Sequence, residues 1–314
     1  MRIGLTRRLP LDAKKILAPC FETVTMIEKE RPLFESERME LVRDQDVLIC
    51  QLTDKITEEL LVNASELKHI STFSTGVDHL NLAELKKRRI SVSHTPGVLT
   101  EATANLAWAL ILDCARRLRP AEKFLKEGKF KGFFPSLFLG IPLEKAVLGI
   151  IGMGNIGQAV ARRARAFGMK VVYFSRTPKN VEDAENVPLE KLLEVSDVVS
   201  VHCPLTSETR HLFNETTLKK MKKGAVLVNT ARGPIIHEEA LYQHLRQHPE
   251  FFAGLDVFEK EPEVFPGLLE LPNAVCVPHI GSASRWAREQ MASICIQEAM
   301  RFARGEKLQF EYPL

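Results

Sequence analysis

Residues 146–168, AVLGIIGMGNIGQAVARRARAFG, join an apolar strand to an amphipathic helix through three glycines in G-x-G-x-x-G spacing, Gly152, Gly154 and Gly157. Each glycine has a separate physical task in such a turn. Gly152 allows the tight bend, Gly154 lets backbone approach a pyrophosphate, and Gly157 lets the helix pack close on the strand, with phosphate charge facing the helix N-terminus. Glycines alone also mark ordinary turns, so the weight lies in the flanking strand and helix. The loop, completed by Met153, Asn155 and Ile156, predicts a dinucleotide-binding fold.

The rest of the chain supports an α/β class, because short apolar runs alternate with helix-length amphipathic segments almost throughout. Before the glycine loop, strands are expected at 2–6, 47–50, 69–73 and 90–93, with helices at 57–63 and 82–87. A long helix at 100–118 follows, with a changeover between domains just before it. After residue 146, strands are expected at 147–151, 170–174, 197–201, 225–229, 252–257 and 274–277, a series that suits a doubly wound sheet. A last helix at 285–304, stopped by Gly305, is expected to pack back on the first domain. Between 127 and 142, Phe130, Phe133, Phe134 and Phe138 crowd a stretch interrupted by glycines and prolines. Such apolar content calls for cover, either from the same chain or as a dimer arm.

Composition removes several classes. A net charge of +3 is too small for the sustained positive field of a nucleic-acid binder. The N-terminus MRIGLTRRLP has no secretory pattern, and no 18-residue stretch is free of charge, so a cytoplasmic protein without membrane contact is expected. Cys20, Cys50, Cys114, Cys203, Cys276 and Cys295 are far apart and read as reduced thiols, neither metal ligands nor staples; no metal is expected.

Two further segments specify chemistry. The strand after the glycine helix, KVVYF, ends in Ser175-Arg176-Thr177, where an NAD-binding fold usually offers a carboxylate to the ribose hydroxyls. An arginine with two hydroxyls suits a 2′-phosphate, which a carboxylate would repel, so NADPH is expected over NADH. Later, Arg232 in NTARGPII, Glu261 in LDVFEKEP and His279 in VPHIGSAS each fall at or just after a strand end. Hydride reduction of a 2-keto acid needs a proton donor for the forming alkoxide and a cation for the carboxylate and ketone. His279 and Arg232 have those properties, and Glu261 could orient the imidazole and favour its protonated form. His69, His94, His202 and His237 lack such partners and are read as structural.

Together the glycine fingerprint, VNTARGPIIHEEAL, AGLDVFEKEP and PHIGSAS resemble the D-isomer-specific 2-hydroxyacid dehydrogenase family over nearly the whole chain. The resemblance implies Arg232, Glu261 and His279 as catalytic residues. It implies a Rossmann-type NAD(P)-binding domain at 99–281, inserted in a smaller flavodoxin-like substrate domain of 1–98 and 282–314. In STFSTGVDHLNL, Thr75 and Gly76 would offer backbone N–H groups to the substrate carboxylate. Thr103, Cys203, Pro204, Thr230, Ala231, Asp256, His279 and Gly281 would lie along the cofactor. PHIGSAS and the Ser-Arg-Thr segment look most like glyoxylate and hydroxypyruvate reductases, which makes Ser282 a substrate contact. Asn105 and His237 depart from the residues common in relatives. The Phe133–Phe134 region corresponds to one that in some relatives reaches the neighbouring subunit, favouring a homodimer.

The expected activity is an NADPH-preferring reduction of a small 2-keto acid to a D-2-hydroxy acid. Two alternatives remain in the sequence: a phosphite dehydrogenase of the same family, and a dinucleotide-sensing scaffold resembling the family's corepressors, since fold alone does not give function.

Overall fold

The computed structural model describes residues 1–29 and 31–314. They form two compact units, Met1–Leu99 with Ala283–Leu314, and Thr100–Ser282.

The first unit is a five-stranded parallel sheet in the order β2-β1-β3-β4-β5. Its strands are β1 (Arg2–Leu5), β2 (Thr23–Met26), β3 (Val47–Gln51), β4 (His69–Phe73) and β5 (Ser91–Ser93). This is the strand order of flavodoxin-like sheets. Helices α1 (Ala13–Leu17), α2 (Glu35–Val42), α3 (Glu58–Val62) and α4 (Leu82–Lys87) make the crossovers. Three start where a short polar side chain accepts a backbone N–H: Asp12 from Lys15, Thr57 from Leu60 and Asn81 from Glu84. The C-terminal helix, α11 (Arg285–Ala303), is capped in the same way by Ser284. Its apolar stripe of Ala292, Cys295, Ile296 and Ala299 is buried against Ile3, Leu5, Leu17, Val47 and Ile49. Phe302, near its end, stacks on His69 with ring centroids 4.8 Å apart.

The second unit opens with α5 (Thr100–Arg116) and α6 (Leu118–Lys126). The helix expected at 100–118 is α5, ending two residues earlier, and α6 is a further helix that the sequence reading did not expect. Arg117 adopts the left-handed conformation, φ 58°, which breaks the helical hydrogen-bond ladder. Seven parallel strands follow in the order β12-β11-β10-β9-β6-β7-β8. They are β6 (Val147–Ile151), β7 (Lys170–Phe174), β8 (Ala184–Asn186), β9 (Val198–Val201), β10 (Val226–Asn229), β11 (Phe252–Leu255) and β12 (Ala274–Cys276). Covering helices include α7 (Asn155–Ala166), α8 (Leu189–Val195), α9 (Glu215–Leu218) and α10 (Glu238–Gln247). The central strands VVSV and VLVN are buried at every position, as strands covered on both faces must be. Strand order reverses between β6 and β9, so their carboxyl ends open the crevice where such sheets bind ligands.

Two strands escaped the sequence reading, β2 and β8, and both are sheet edges. TVTM is exposed at alternate positions and AEN has no buried residue, so neither carries the apolar run that marks an interior strand. All six cysteines are free thiols. Among the described residues no helix is long and apolar enough to cross a membrane, and no cluster of His, Cys, Asp and Glu is arranged to hold a metal.

Candidate active site

Glycine chemistry shapes one side of the crevice. Gly152 has φ 94°, and a Cβ there would lie 2.5 Å from the Cys203 nitrogen. A Cβ on Gly157 would lie 2.2 Å from the Gly152 carbonyl oxygen, so β6, the turn and α7 approach more closely than any side chain permits. Gly154 differs, since a Cβ on it would meet nothing within 4 Å. It stands at the N-cap of α7 with no side chain closing the helix end, leaving backbone donors and the helix dipole for an anion. Asn155 is exposed and Ile156 half-buried, whereas Met153 turns its side chain into the core, leaving only its backbone for a ligand.

Two buried polar atoms along the same strand ends have no partner among the described residues, Thr230 Oγ1 after β10 and His202 Nδ1 after β9. His202 Nε2 is held by Ser200 Oγ at 2.8 Å, and enclosure of the ring lowers its pKa to about 3. A bare helix N-terminus, glycines where backbones converge and orphaned polar atoms at the strand ends fit a bound dinucleotide. Ser175 is half-buried at the end of β7, with Arg176 and Thr177 exposed beyond it. Arg176 has no ion-pair partner within 4 Å among the described residues, although its charge reaches Glu208 and Cys203. Cys203 is buried and Pro204 exposed. The Pro204 carbonyl accepts from Thr209 Oγ1 at 2.7 Å.

Across the carboxyl edge of β10, β11 and β12 the structure assembles Arg232, Glu261 and His279. Asn229, the last residue of β10, shapes the first turn: its Oδ1 accepts the Ala231 N–H at 3.0 Å and its Nδ2 donates to the Arg232 carbonyl at 2.9 Å. Gly233 follows because no other residue fits there. A Cβ would lie 1.9 Å from the Phe258 carbonyl carbon and oxygen, so the Arg232 turn rests directly on the Glu261 loop. Glu261 Oε1 accepts the Phe258 N–H at 3.0 Å, and Oε2 lies 2.8 Å from His279 Nδ1. Burial raises the Glu261 pKa, but the hydrogen bond and charge of His279, the Phe258 N–H and the Arg232 charge outweigh it and hold the carboxyl below its usual range. Ionised Glu261 accepts only, so Nδ1 carries the shared proton and Nε2 is left to exchange one.

His279 is in the left-handed region at φ 50°, uncommon for histidine and worth explaining where it occurs beside reactive groups. Its N–H donates to the Asp256 carbonyl at 2.8 Å. The Asp256 carboxylate, 1% exposed, accepts the N–H groups of Ile280 at 2.6 Å and Gly281 at 2.8 Å. Burial is the main cause that pushes its pKa up to about 6. Asp256 thus fixes the backbone at His279 and at the two residues after it. Thr103 is buried and donates to the Gly281 carbonyl at 3.3 Å, and Ala231 and Ser282 are half-buried. Thr75 and Gly76 belong to the first unit, in the loop after β4. There Thr75 Oγ1 donates to the Thr95 carbonyl at 2.8 Å, and the Gly76 carbonyl accepts from Ser74 Oγ at 2.7 Å.

Sequence reasoning missed Asn229 and Gly233 as the shapers of the arginine turn, and also Glu238, Glu259 and His211 beneath it. The only signals for the last three are an acidic doublet opening α10 and a glutamate two places before Glu261.

A family model for the D-isomer specific 2-hydroxyacid dehydrogenase NAD binding domain matches residues 108–281. A glyoxylate reductase of Thermococcus litoralis is 44% identical over 313 residues, covering 97% of this chain and 94% of that protein. The crystal structure of the TT0316 protein from Thermus thermophilus superposes with a TM-score of 0.94 at 44% identity, over the full length of both chains. An acyclic imino acid reductase, solved with NADPH and D-Arg, superposes at 0.88 with 29% identity, also over both full chains.

Proposed function

The chain belongs to the D-isomer specific 2-hydroxyacid dehydrogenases, an NAD(P)-dependent oxidoreductase, and from that premise we propose that it reduces a small 2-keto acid of the glyoxylate and hydroxypyruvate type with NADPH. The observation that carries this reading is the Glu261–His279 pair at 2.8 Å beside the Arg232 charge, at the carboxyl edge of a dinucleotide-type sheet. When bound, the reduced nicotinamide supplies the hydride that reaches C2 of the keto acid. Arg232 binds the substrate carboxylate and polarises the ketone oxygen. His279 gives its Nε2 proton to that oxygen as negative charge develops, and ionised Glu261 stabilises the imidazolium beforehand and keeps the ring in orientation. In the reverse direction neutral His279 accepts the hydroxyl proton.

Thr75 and Gly76 offer backbone N–H groups to the substrate carboxylate, with Ser282 as a further contact. Thr103, Thr230, Ala231, Asp256 and Gly281 line the cofactor. NADPH is favoured because Arg176, exposed and with no carboxylate within 4 Å among the described residues, follows β7. The solved NADPH complex of a relative supports the same choice. Six free thiols suit a cytoplasmic setting.

A homodimer is part of the proposal. Leu118, Leu125, Phe130, Phe133, Phe134 and Leu139 are all exposed within one short segment, Phe133 by 86%, a density of apolar surface that soluble monomers rarely carry. A second copy applied to this face would cover it.

The test is the initial rate of NADPH and NADH oxidation with glyoxylate, hydroxypyruvate, pyruvate and phenylpyruvate. Turnover faster with NADPH and with the smaller acids supports the reading. Consumption of neither cofactor by any keto acid overturns it, and phosphite oxidation or a non-catalytic dinucleotide sensor then becomes the account to examine.

A further inference from the structure

Two glutamates outside the triad hold each other's backbone. Glu238 opens α10 and is 6% exposed; its Oε1 accepts the Glu259 N–H at 2.7 Å, while Glu259 Oε2 accepts the Glu238 N–H at 3.1 Å. The other Glu259 oxygen lies 2.7 Å from His211 Nε2. His211 belongs to a segment that runs beside the residues after Gly233: its N–H donates to Pro234, the Phe213 N–H to Ile235, and the His237 N–H to Phe213. Three chain segments therefore meet at this pair.

Their sequence positions give the meeting a consequence. Arg232 lies in the turn that leads into α10, and Glu261 lies two residues beyond Glu259 in the loop after β11. The reciprocal bonds thus fasten the arginine turn to the glutamate loop, and the Gly233–Phe258 contact fastens them a second time. Capping α10 alone would not require this arrangement, because His237 already occupies the N-cap and accepts the Ala240 N–H. Burial, the Glu259 charge and the Glu261 charge all make the Glu238 carboxylate harder to ionise, against the two backbone N–H bonds that ease it. A buried acid beside two others is a costly way to close a loop, and in some proteins such groups fix a unique geometry.

We propose that Glu238 and Glu259, backed by His211, are positioning residues that hold the Arg232 turn and the Glu261 loop in register, so that Glu261 meets His279 Nδ1. The inference rests on the proposed roles of the triad. Neither glutamate touches substrate or cofactor in this account. Each acts through the loop it anchors.

Glu238→Ala, Glu238→Gln and His211→Ala test it with two readouts. The first is steady-state reduction of glyoxylate with separate titration of NADPH affinity. The second is the Nδ1–H resonance of His279 in protein carrying ¹⁵N-histidine, assigned by its loss in His279→Ala. Displacing a catalytic group by an ångström costs about a hundredfold, so Glu238→Ala is expected to lower kcat by roughly ten- to a hundredfold. NADPH affinity stays within about twofold, and the resonance broadens or disappears. Glu238→Gln keeps an oxygen for the Glu259 N–H and is expected to recover kcat to within about threefold of wild type, with the resonance intact. His211→Ala, a change at a partly exposed side chain, lowers kcat by about three- to tenfold.

Wild-type kcat and an unchanged resonance in folded Glu238→Ala overturn the proposal, as does a folded Glu238→Gln as impaired as the alanine. Should Glu238→Ala not fold, His211→Ala decides, and no change in either readout overturns it. Because the resonance needs no turnover, loss of the signal in a protein that reduces no keto acid rejects the substrate reading alone and leaves the clamp standing.

Discussion

Glu261 stays ionised against its burial because His279, Arg232 and one backbone N–H surround it, and that protonation state fixes which imidazole nitrogen exchanges a proton. At this scale the grouping of Arg232, Glu261 and His279 and the tight turn of the three loop glycines were legible in the sequence, while the role of Arg176 toward a 2′-phosphate stays part of the proposal. Glu238, Glu259 and Asn229 were not legible, because their partners are backbone N–H and C=O groups that only folding brings near. His202 illustrates a partial reading: it is structural in its bond to Ser200, yet its other nitrogen, buried after β9, has no partner among the described residues. Arg176→Asp is expected to reverse cofactor preference, raising the KM for NADPH by tenfold or more, roughly one charge reversal at a phosphate, while NADH is affected little. Equal KM changes for both cofactors would contradict the assignment. Burial lowers the pKa of His69 to about 3. Below its ordinary value near 6.5 the unfolded chain binds a proton the native state refuses, so stability is full above that pH and falls as pH drops toward 3. His69→Asn removes that linkage, and between pH 6 and 4 its urea-unfolding free energy should fall less steeply, by up to about 1.4 kcal/mol per pH unit. Parallel slopes in the two proteins would contradict it.

At the scale of elements, interior strands were readable as apolar runs, while the edge strands β2 and β8, which have no buried residue, were not. The helix expected to end at Leu118 ends at Arg116, and α6 after it was not expected. Arg117 bears no helix-breaking side chain, yet its backbone is left-handed and its guanidinium lies over the Phe252 ring at 3.6 Å. Two glycines separate shape from binding. Gly233→Ala forces a methyl into the Phe258 backbone and should destabilise by about 1–3 kcal/mol or more while reducing kcat. Gly154→Ala meets no neighbour and should unfold within about 1 kcal/mol of wild type, yet weaken NADPH binding where the pyrophosphate approaches α7. Paired urea unfolding and fluorescence titration check both. A stable Gly233→Ala or a Gly154→Ala with unchanged affinity would break the respective argument.

For the whole molecule, two parallel sheets with different strand orders follow from one alternating pattern, and the chain returns through α11 to pack on the sheet it began with. The long apolar-faced helix before which the sequence places a changeover is α5, which opens the second compact unit. The exposed aromatic segment was visible as composition, and its exposure required the structure. Phe133→Asp with Leu139→Asp should shift the sedimenting species from dimer to monomer without unfolding either unit, and a wild-type monomer at micromolar concentration would remove the proposed interface. The central claim is that His279 transfers the proton during keto-acid reduction. Its most direct measurement is single-turnover NADPH oxidation with glyoxylate in wild type and His279→Ala, with cofactor affinity titrated in parallel. The account predicts a loss of about 10²–10⁴-fold in rate with NADPH affinity preserved. A mutant that reduces glyoxylate at the wild-type rate, or one whose rate falls only as its NADPH affinity falls, would contradict it.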